Sequence, residues 1–222
     1  MKIIFEDEIR RAAPALKVYT VEADIINPPT SDRLWEEIMD ACREIRTRYE
    51  LADIRHRPAI DAIRNAYKEL GKEPNRYRPS SESLMRRVVK GLDLYRSLTC
   101  IDLINLVSLV SGHSIGGFDA DKIDGSSLTL GAGREGEPYE GIGRGELNIA
   151  AMPVFRDATG GIGTPTSDNE RTKLSPETRR IFMTINIYRE GEIPSEKVIS
   201  MMQRLLSTYA GSTEIKVTEW RI

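Results

Sequence analysis

Residues 100–111 read Cys-Ile-Asp-Leu-Ile-Asn-Leu-Val-Ser-Leu-Val-Ser, and Gly112 follows. The run is nearly all apolar and outlasts an ordinary strand, and glycine is favoured just past a helix end. It predicts a helix buried over most of its surface. Asn105 and Ser108 interrupt it at a spacing of three, which puts both polar groups on one helix face. A buried Asn left unpaired costs about 1–3 kcal/mol, so Asn105 must meet either a structural network or a pocket.

On the N-terminal side the texture is helical. Leu34, Trp35, Ile38, Cys42, Ile45 and Tyr49 share one face of a helix that starts near Ser31 or Asp32. A second helix runs from Pro58 to Gly71, with Ile60, Ile63, Tyr67 and Leu70 as its stripe. A third starts at Ser80 or Ser81, either of which suits an N-cap, and stops at Gly91. Glu82 falls in its first turn, where negative charge is favoured. Arg86 and Arg87 lie one turn on, and one of them is expected to pair with it. Two strands precede these helices, over Lys2–Phe5 and around Leu16–Val21.

Beyond Gly112, glycines punctuate short strand-like pieces: Ser127–Leu130, Leu147–Ile149 and Pro153–Arg156. Ile181–Tyr188 reads as a long strand, Pro194–Ala210 as an amphipathic helix and Ile215–Trp220 as a last strand. The expected class is α+β, with mixed or antiparallel β-sheets packed with helices. We expect one domain over residues 1–222, with an Arg-rich helical half at about 30–95 and a Gly-rich β region at about 112–190.

The chain has 222 residues, 40% hydrophobic and 30% charged, and a formal net charge of −2. That balance speaks against a protein that coats polyanions through a large positive excess. Charge is nevertheless uneven: residues 43–96 carry 14 basic against 8 acidic side chains. This segment is either a solvated helical surface laced with ion pairs or a docking face for RNA or another anion. No apolar run reaches the roughly 20 residues that span a bilayer, so no membrane partner is expected. The N-terminus lacks a signal-peptide pattern, and Cys42 and Cys100 read as buried free thiols, so a reducing, cytoplasmic setting is expected.

Several familiar signatures fail. Gly131-Ala-Gly133-Arg-Glu-Gly136 matches the string of a dinucleotide-binding turn, but Pro138 and the glycines at 141, 143 and 145 forbid the helix that such a turn must open. Asp119-Ala-Asp121-Lys-Ile-Asp124-Gly125 begins like a calcium loop, yet Ile123 and Leu130 stand where oxygen ligands belong. Two His and two Cys without short spacing make no zinc site. No cofactor or metal is expected. Two polar, glycine-framed stretches remain. One is Tyr139–Gly145. The other is Gly161–Thr172, dense in hydroxyls and carboxylates and containing Arg171; long polar loops in compact domains are more often functional than idle.

The string Ile101–Leu109 followed by Gly112-His113-Ser114-Ile115-Gly116-Gly117-Phe118-Asp119 resembles the B3/B4-type domain of the phenylalanyl-tRNA synthetase β subunit, and the whole chain is similar to free-standing proteins built on it. Tyr77–Glu82, Asp121-Lys122, Gly136-Glu137, Pro153-Val154 with Asp157, and the Gly163–Arg171 loop carry the resemblance, which covers roughly residues 75–190. It implies a B3/B4-like fold of sheets packed with helices. It also implies hydrolysis in trans of a mischarged, Tyr-tRNA-like ester, with the aminoacylated 3′ end of tRNA as partner. Such a step has a physical need, because a pocket shaped for Phe rejects an added hydroxyl only weakly, by about a hundredfold. The family pattern has His-Ala before Phe-Asp, where this chain has Gly116-Gly117. Glu140 and Glu146 are both candidates for the acidic residue that reads the tyrosyl hydroxyl.

The resemblance thus implies Asn105, Thr166 and Glu140 as catalytic candidates. Arg78, Glu82, Ser108, His113, Asp119, Gly143, Asp157, Gly163, Thr164, Asp168 and Arg171 are the substrate-binding candidates. Backbone N–H groups of the Gly141–Gly145 or Gly163 turns are candidate oxyanion donors. Two other readings stand beside this one: a non-catalytic module that binds RNA or protein, and an amino-acid-binding protein or small-molecule enzyme using the same pocket. A ligand-sized cavity lined by Arg78, Asn105, Glu140, Asp157 and Thr166 would favour catalysis or amino-acid binding. A filled pocket beside a flat basic face over Arg43–Arg87 would favour the module. Oligomeric state is left open.

Overall fold

The computed structural model describes residues 1–222. In chain order the elements are β1 (Lys2–Phe5), α1 (Asp7–Ala12), β2 (Lys17–Asp24), α2 (Asp32–Arg48), α3 (Pro58–Glu69), α4 (Ser80–Val89), α5 (Thr99–Ser111) and β3 (Ile115–Asp119). There follow β4 (Ser127–Ala132), β5 (Glu140–Gly141), β6 (Gly145–Glu146), β7 (Pro153–Arg156), β8 (Gly161–Gly163), β9 (Arg180–Ile187), α6 (Ser195–Tyr209) and β10 (Ile215–Arg221). The class is α+β, as expected. No helix is long and apolar enough to cross a membrane.

Two four-stranded sheets organise the chain. One has the order β10-β2-β9-β3 and is antiparallel throughout. The other has the order β1-β4-β7-β8, with β1 and β4 parallel. Strand β9 shows how they stack. Successive side chains leave a strand on opposite faces. Ile181, Met183, Ile185 and Ile187 join the core shared with α2, α5 and α6, whereas Phe182 and Tyr188 join the core shared with β1, β4, β7 and α3. Helices therefore cover one face of the antiparallel sheet, and the mixed sheet covers the other. Thr184 and Asn186 stand on that second face and interrupt its apolar row.

The run at 100–111 forms the buried helix α5, and Gly112 closes it in the left-handed conformation at φ 79°. Ser31 caps α2, its side chain accepting from the Leu34 N–H. Neither Ser80 nor Ser81 caps α4. Pro79 occupies the cap position, the Ser80 N–H donates to the Pro165 carbonyl at 2.7 Å, and Ser81 is fully buried.

Three pieces differ from expectation. Helix α1 was not foreseen, because six residues are too few to show a helical period. The segment Leu147–Ile149 is not a strand: Lys72 reaches over and donates to the carbonyls of Asn148 and Ala150, holding those groups in place of a ladder. The Gly116-Gly117 stretch, where no strand was expected, is the middle of edge strand β3. Cys42 and Cys100 are buried and unpaired, and burial pushes the Cys100 thiol up to about 12.

Candidate functional site

Edge strand β3 stands between two spaces. Its side chains alternate, so Gly116 and Gly117 face opposite ways. A β-carbon on Gly117 would lie 2.4 Å from Ile104 Cδ1 of α5, and one on Gly116 would lie 2.7 Å from Phe118 Cζ. Both glycines thus make room that any larger residue would take.

On the Gly117 side lies an outer cavity of about 200 Å³, the space open to the centre of a water-sized sphere. Its apolar wall is Ile101 and Ile104 of α5, Ile115, Leu174, and Ile142 from the tip of the β5–β6 hairpin. Ile142 is 40% exposed and roofs the mouth. The polar groups are Asn105 and Ser108 of α5, Ser80 at the start of α4, Thr164, Ser167, Asp168 and Lys173. The volume falls below that of pockets for drug-sized ligands, about 300–1,000 Å³, and suits an amino-acid moiety better than a nucleotide.

Asp168 is half-buried at the edge of β3. Edge strands leave backbone donors without a strand partner, and Asp168 Oδ2 accepts the Gly117 N–H at 3.0 Å. Burial raises the carboxyl to about 7, a shift that the Gly117 hydrogen bond opposes. Asp168 is therefore divided between its acid and base forms near neutrality. The loop that carries it is a tight turn: the Thr164 hydroxyl accepts from the N–H groups of Thr166 and Ser167, and the Thr164 N–H donates to the Ser167 carbonyl.

Asn105, Ser108, Thr164 and Asp168 are thus brought to one cavity. The Asn105 amide has no hydrogen-bond partner within the chain and is free to meet a ligand. The Ser108 hydroxyl is committed to the His113 carbonyl at 2.7 Å.

The other candidate residues lie elsewhere. Thr166 is buried behind the turn, where its hydroxyl meets the Tyr67 hydroxyl at 3.0 Å. Glu140 is exposed on β5, directly opposite Glu146, in a separate surface hollow. Gly143 is the hairpin turn, and the N–H groups of Ile142 and Gly143 are already bonded to the Asp168 carbonyl and to Glu170. They offer no oxyanion donor. Gly163 packs against the Phe118 ring on the far side of β3.

Glu82 is fully buried and takes Arg64 and Arg86 at 2.8 Å each, so it braces α4 against α3 and is closed to substrate. Arg78 sits at the edge of this cluster, 3.9 Å from Glu82. Asp157 accepts from the Asp124, Thr159 and Gly160 N–H groups and from Arg171 at 2.7 Å. Burial works to raise its pKa, but these donors prevail and hold it below the usual carboxylate range. Arg171 is consumed in that pairing. Asp119 caps the turn after β3 and accepts from Thr178 and Asp121. His113 is buried beside Gly191, away from the cavity, and burial lowers it to about 4.

The Arg-rich half resolves into ion pairs. Arg43 meets Asp40, Arg46 meets Asp93, Arg48 and Arg57 meet Glu192, and Arg87 donates to the Asp93 carbonyl while stacking on Tyr95. Most of these arginines are thus paired, while Arg55 meets His56, Arg76 meets the Tyr77 ring, and Lys68 and Lys90 stay without a carboxylate partner.

Sequence reasoning missed Gly117, Ser80, Ile142, Ser167 and Lys173. Of these, only the adjacent Gly116-Gly117 pair in a strand carried a signal, since a glycine in a strand marks close approach.

A protein-family model described as the B3/4 domain matches residues 62–204. No curated protein matches the chain. Among solved structures, an N-terminal fragment of the phenylalanyl-tRNA synthetase β subunit from Pyrococcus horikoshii is similar at 12% identity and a TM-score of 0.49. That match covers 100% of this chain and 54% of the fragment, so the chain spans about half of the fragment's length.

Proposed function

From a chain that belongs to the B3/4 domain family, we propose a stand-alone deacylase that hydrolyses a mischarged aminoacyl-tRNA, with a tyrosyl-type ester as the first substrate to try. The observation that carries this reading is the meeting of Asp168 and Asn105 in a cavity of about 200 Å³ with an apolar wall. The aminoacyl group enters between α5 and β3, with its side chain against Ile104, Ile115 and Leu174.

Aminoacyl esters are activated, so the chain must mainly place a water and stabilise the charge that develops on the carbonyl oxygen. In its ionised form Asp168 takes a proton from that water as its oxygen attacks the carbonyl carbon. The Asn105 amide donates to the developing oxyanion. The bond from carbon to the ribose oxygen then breaks, and the proton passes from Asp168 to that oxygen. Ser80 in the cavity wall offers a hydroxyl to the ribose of the tRNA end, and Lys173 would have to leave its partner Glu170 to meet a phosphate.

Purified protein mixed with a panel of mischarged tRNAs tests the proposal. Accelerated deacylation of at least one ester, lost in Asp168→Asn, is the expected result. Release no faster than buffer across the full panel overturns it. In the amino-acid-binding alternative, the same cavity takes a free amino acid. That reading predicts thermal stabilisation by one free amino acid without any deacylation.

A further inference from the structure

Behind β3, on the Gly116 side, is a second and much smaller chamber. It lies between β3 and β9 on one side and the mixed sheet on the other, and measures about 10 Å³ by the same definition as the outer cavity. Asp168, Thr164 and Ile115 line both spaces, so Asp168 stands in the partition. The chamber floor is β9, where Thr184 and Asn186 point away from the helix core.

Two oxygens in this floor have no partner: Thr184 Oγ1 and Asn186 Oδ1. Thr184 is 0% exposed and Asn186 is 6% exposed. Buried polar atoms are nearly always satisfied, so two orphans on one small chamber call for a shared partner. The Asn186 amide nitrogen is already bonded to the Ser114 carbonyl, which fixes the orientation of its oxygen. The remaining oxygen of the partition, Asp168 Oδ1, lies 3.1 Å from where a Gly163 β-carbon would stand, on the chamber side. A buried water needs about 10–15 Å³ of such space and two to four polar partners, and the chamber meets both conditions.

We infer that the chamber is a specific site for one water molecule, which donates to Asn186 Oδ1, exchanges a hydrogen bond with the Thr184 hydroxyl and solvates the Asp168 carboxyl from behind. Thr184 and Asn186 are then positioning residues that act on Asp168 through the water. Gly116 keeps the site open, since a β-carbon there would lie 2.9 Å from Thr184 Oγ1. The site stands whether or not the outer cavity hydrolyses an ester.

Thr184→Val keeps the shape of the side chain and removes the hydroxyl. The expected result is an Asp168 titration, followed by carboxyl carbon NMR, that moves up by about one unit, because an ionised carboxylate loses part of its solvation. A purely structural role for Thr184 would lower the melting temperature and leave that titration in place, which would overturn the inference. A high-resolution crystal structure of the wild-type chain supplies the second measurement. Density for one water within hydrogen-bond distance of Thr184 and Asn186 is expected. A dry chamber, or an ion with metal-like contacts, overturns the assignment. Gly116→Ala, where it folds, should expel the water, and an unchanged water there also counts against the site.

Discussion

Asp168 Oδ2 accepts the backbone N–H of Gly117 at 3.0 Å, tying a polar loop to the open edge of β3. Two residues 51 positions apart in sequence thereby complete a sheet edge and a cavity wall at once. The hydrogen bond satisfies an edge donor, and its location leaves the carboxyl facing both the outer cavity and the inner chamber.

The first prediction concerns pH. Asp168 titrates near 3.8 when unfolded and at about 7 in the folded chain. A raised folded-state pKa stabilises fully below the unfolded value, and this contribution is lost as pH rises through about 7. Deacylation should run the other way and climb through the same region as the base form appears. Asp168→Asn should remove this contribution from the stability profile, flatten the rate profile and lower the rate at pH 8 by about 10²–10⁴. Stopped deacylation assays and thermal melts across pH 5–9 check this.

Gly117→Ala places a methyl group 2.4 Å from the end of the Ile104 side chain. That end can move, so the chain should fold at a cost of about 1–3 kcal/mol. The cavity narrows, and kcat/KM for the aminoacyl ester should fall by about tenfold or more. A rate equal to wild type would place the substrate outside this cavity.

Glu82→Gln removes the charge from a carboxylate clasped by Arg64 and Arg86. Breaking a buried pair leaves uncompensated charge and costs about 3–5 kcal/mol. Chemical denaturation should show that loss. Deacylation per folded molecule should be unchanged, because Glu82 does not line the cavity.

His113 is buried with its Nε2 unpartnered, and burial lowers it from 6.5 to about 4. A depressed folded-state pKa means that the unfolded chain binds the proton first. Stability from this group is present above about 6.5 and is lost as pH falls toward 4, by on the order of 3 kcal/mol. His113→Gln should remove this acid sensitivity while leaving the Asp168 titration unmoved.

Much of this was legible along the chain. The buried helix α5 and its Gly112 cap follow from an apolar run of known length. The stripes of α2 and α3 and the period of β9 follow from repeats that sterics impose on any helix or strand. One Arg was expected to pair with Glu82, and Arg86 does, because one helical turn brings them together. The candidate site was less legible. Asp157, Arg171 and Asp119 have the residue types of a binding site, but each is spent on a partner far along the chain, and Glu82 is closed off by Arg64 as well as by the Arg86 that spacing foretold. His113 lies two residues from β3 and yet faces away from the cavity.

The sequence by itself determined the α+β class, the helix and strand periods and the buried character of residues 100–111, because these depend on contacts within a few residues. Only the tertiary structure decided that Gly116 and Gly117 sit on an edge strand with a space on each side, and that Asp168 rather than Glu140 or Thr166 joins Asn105. Those facts depend on which strand lies at the edge of the sheet and which side chains are already satisfied. Long-range packing sets both, and local pattern does not encode them.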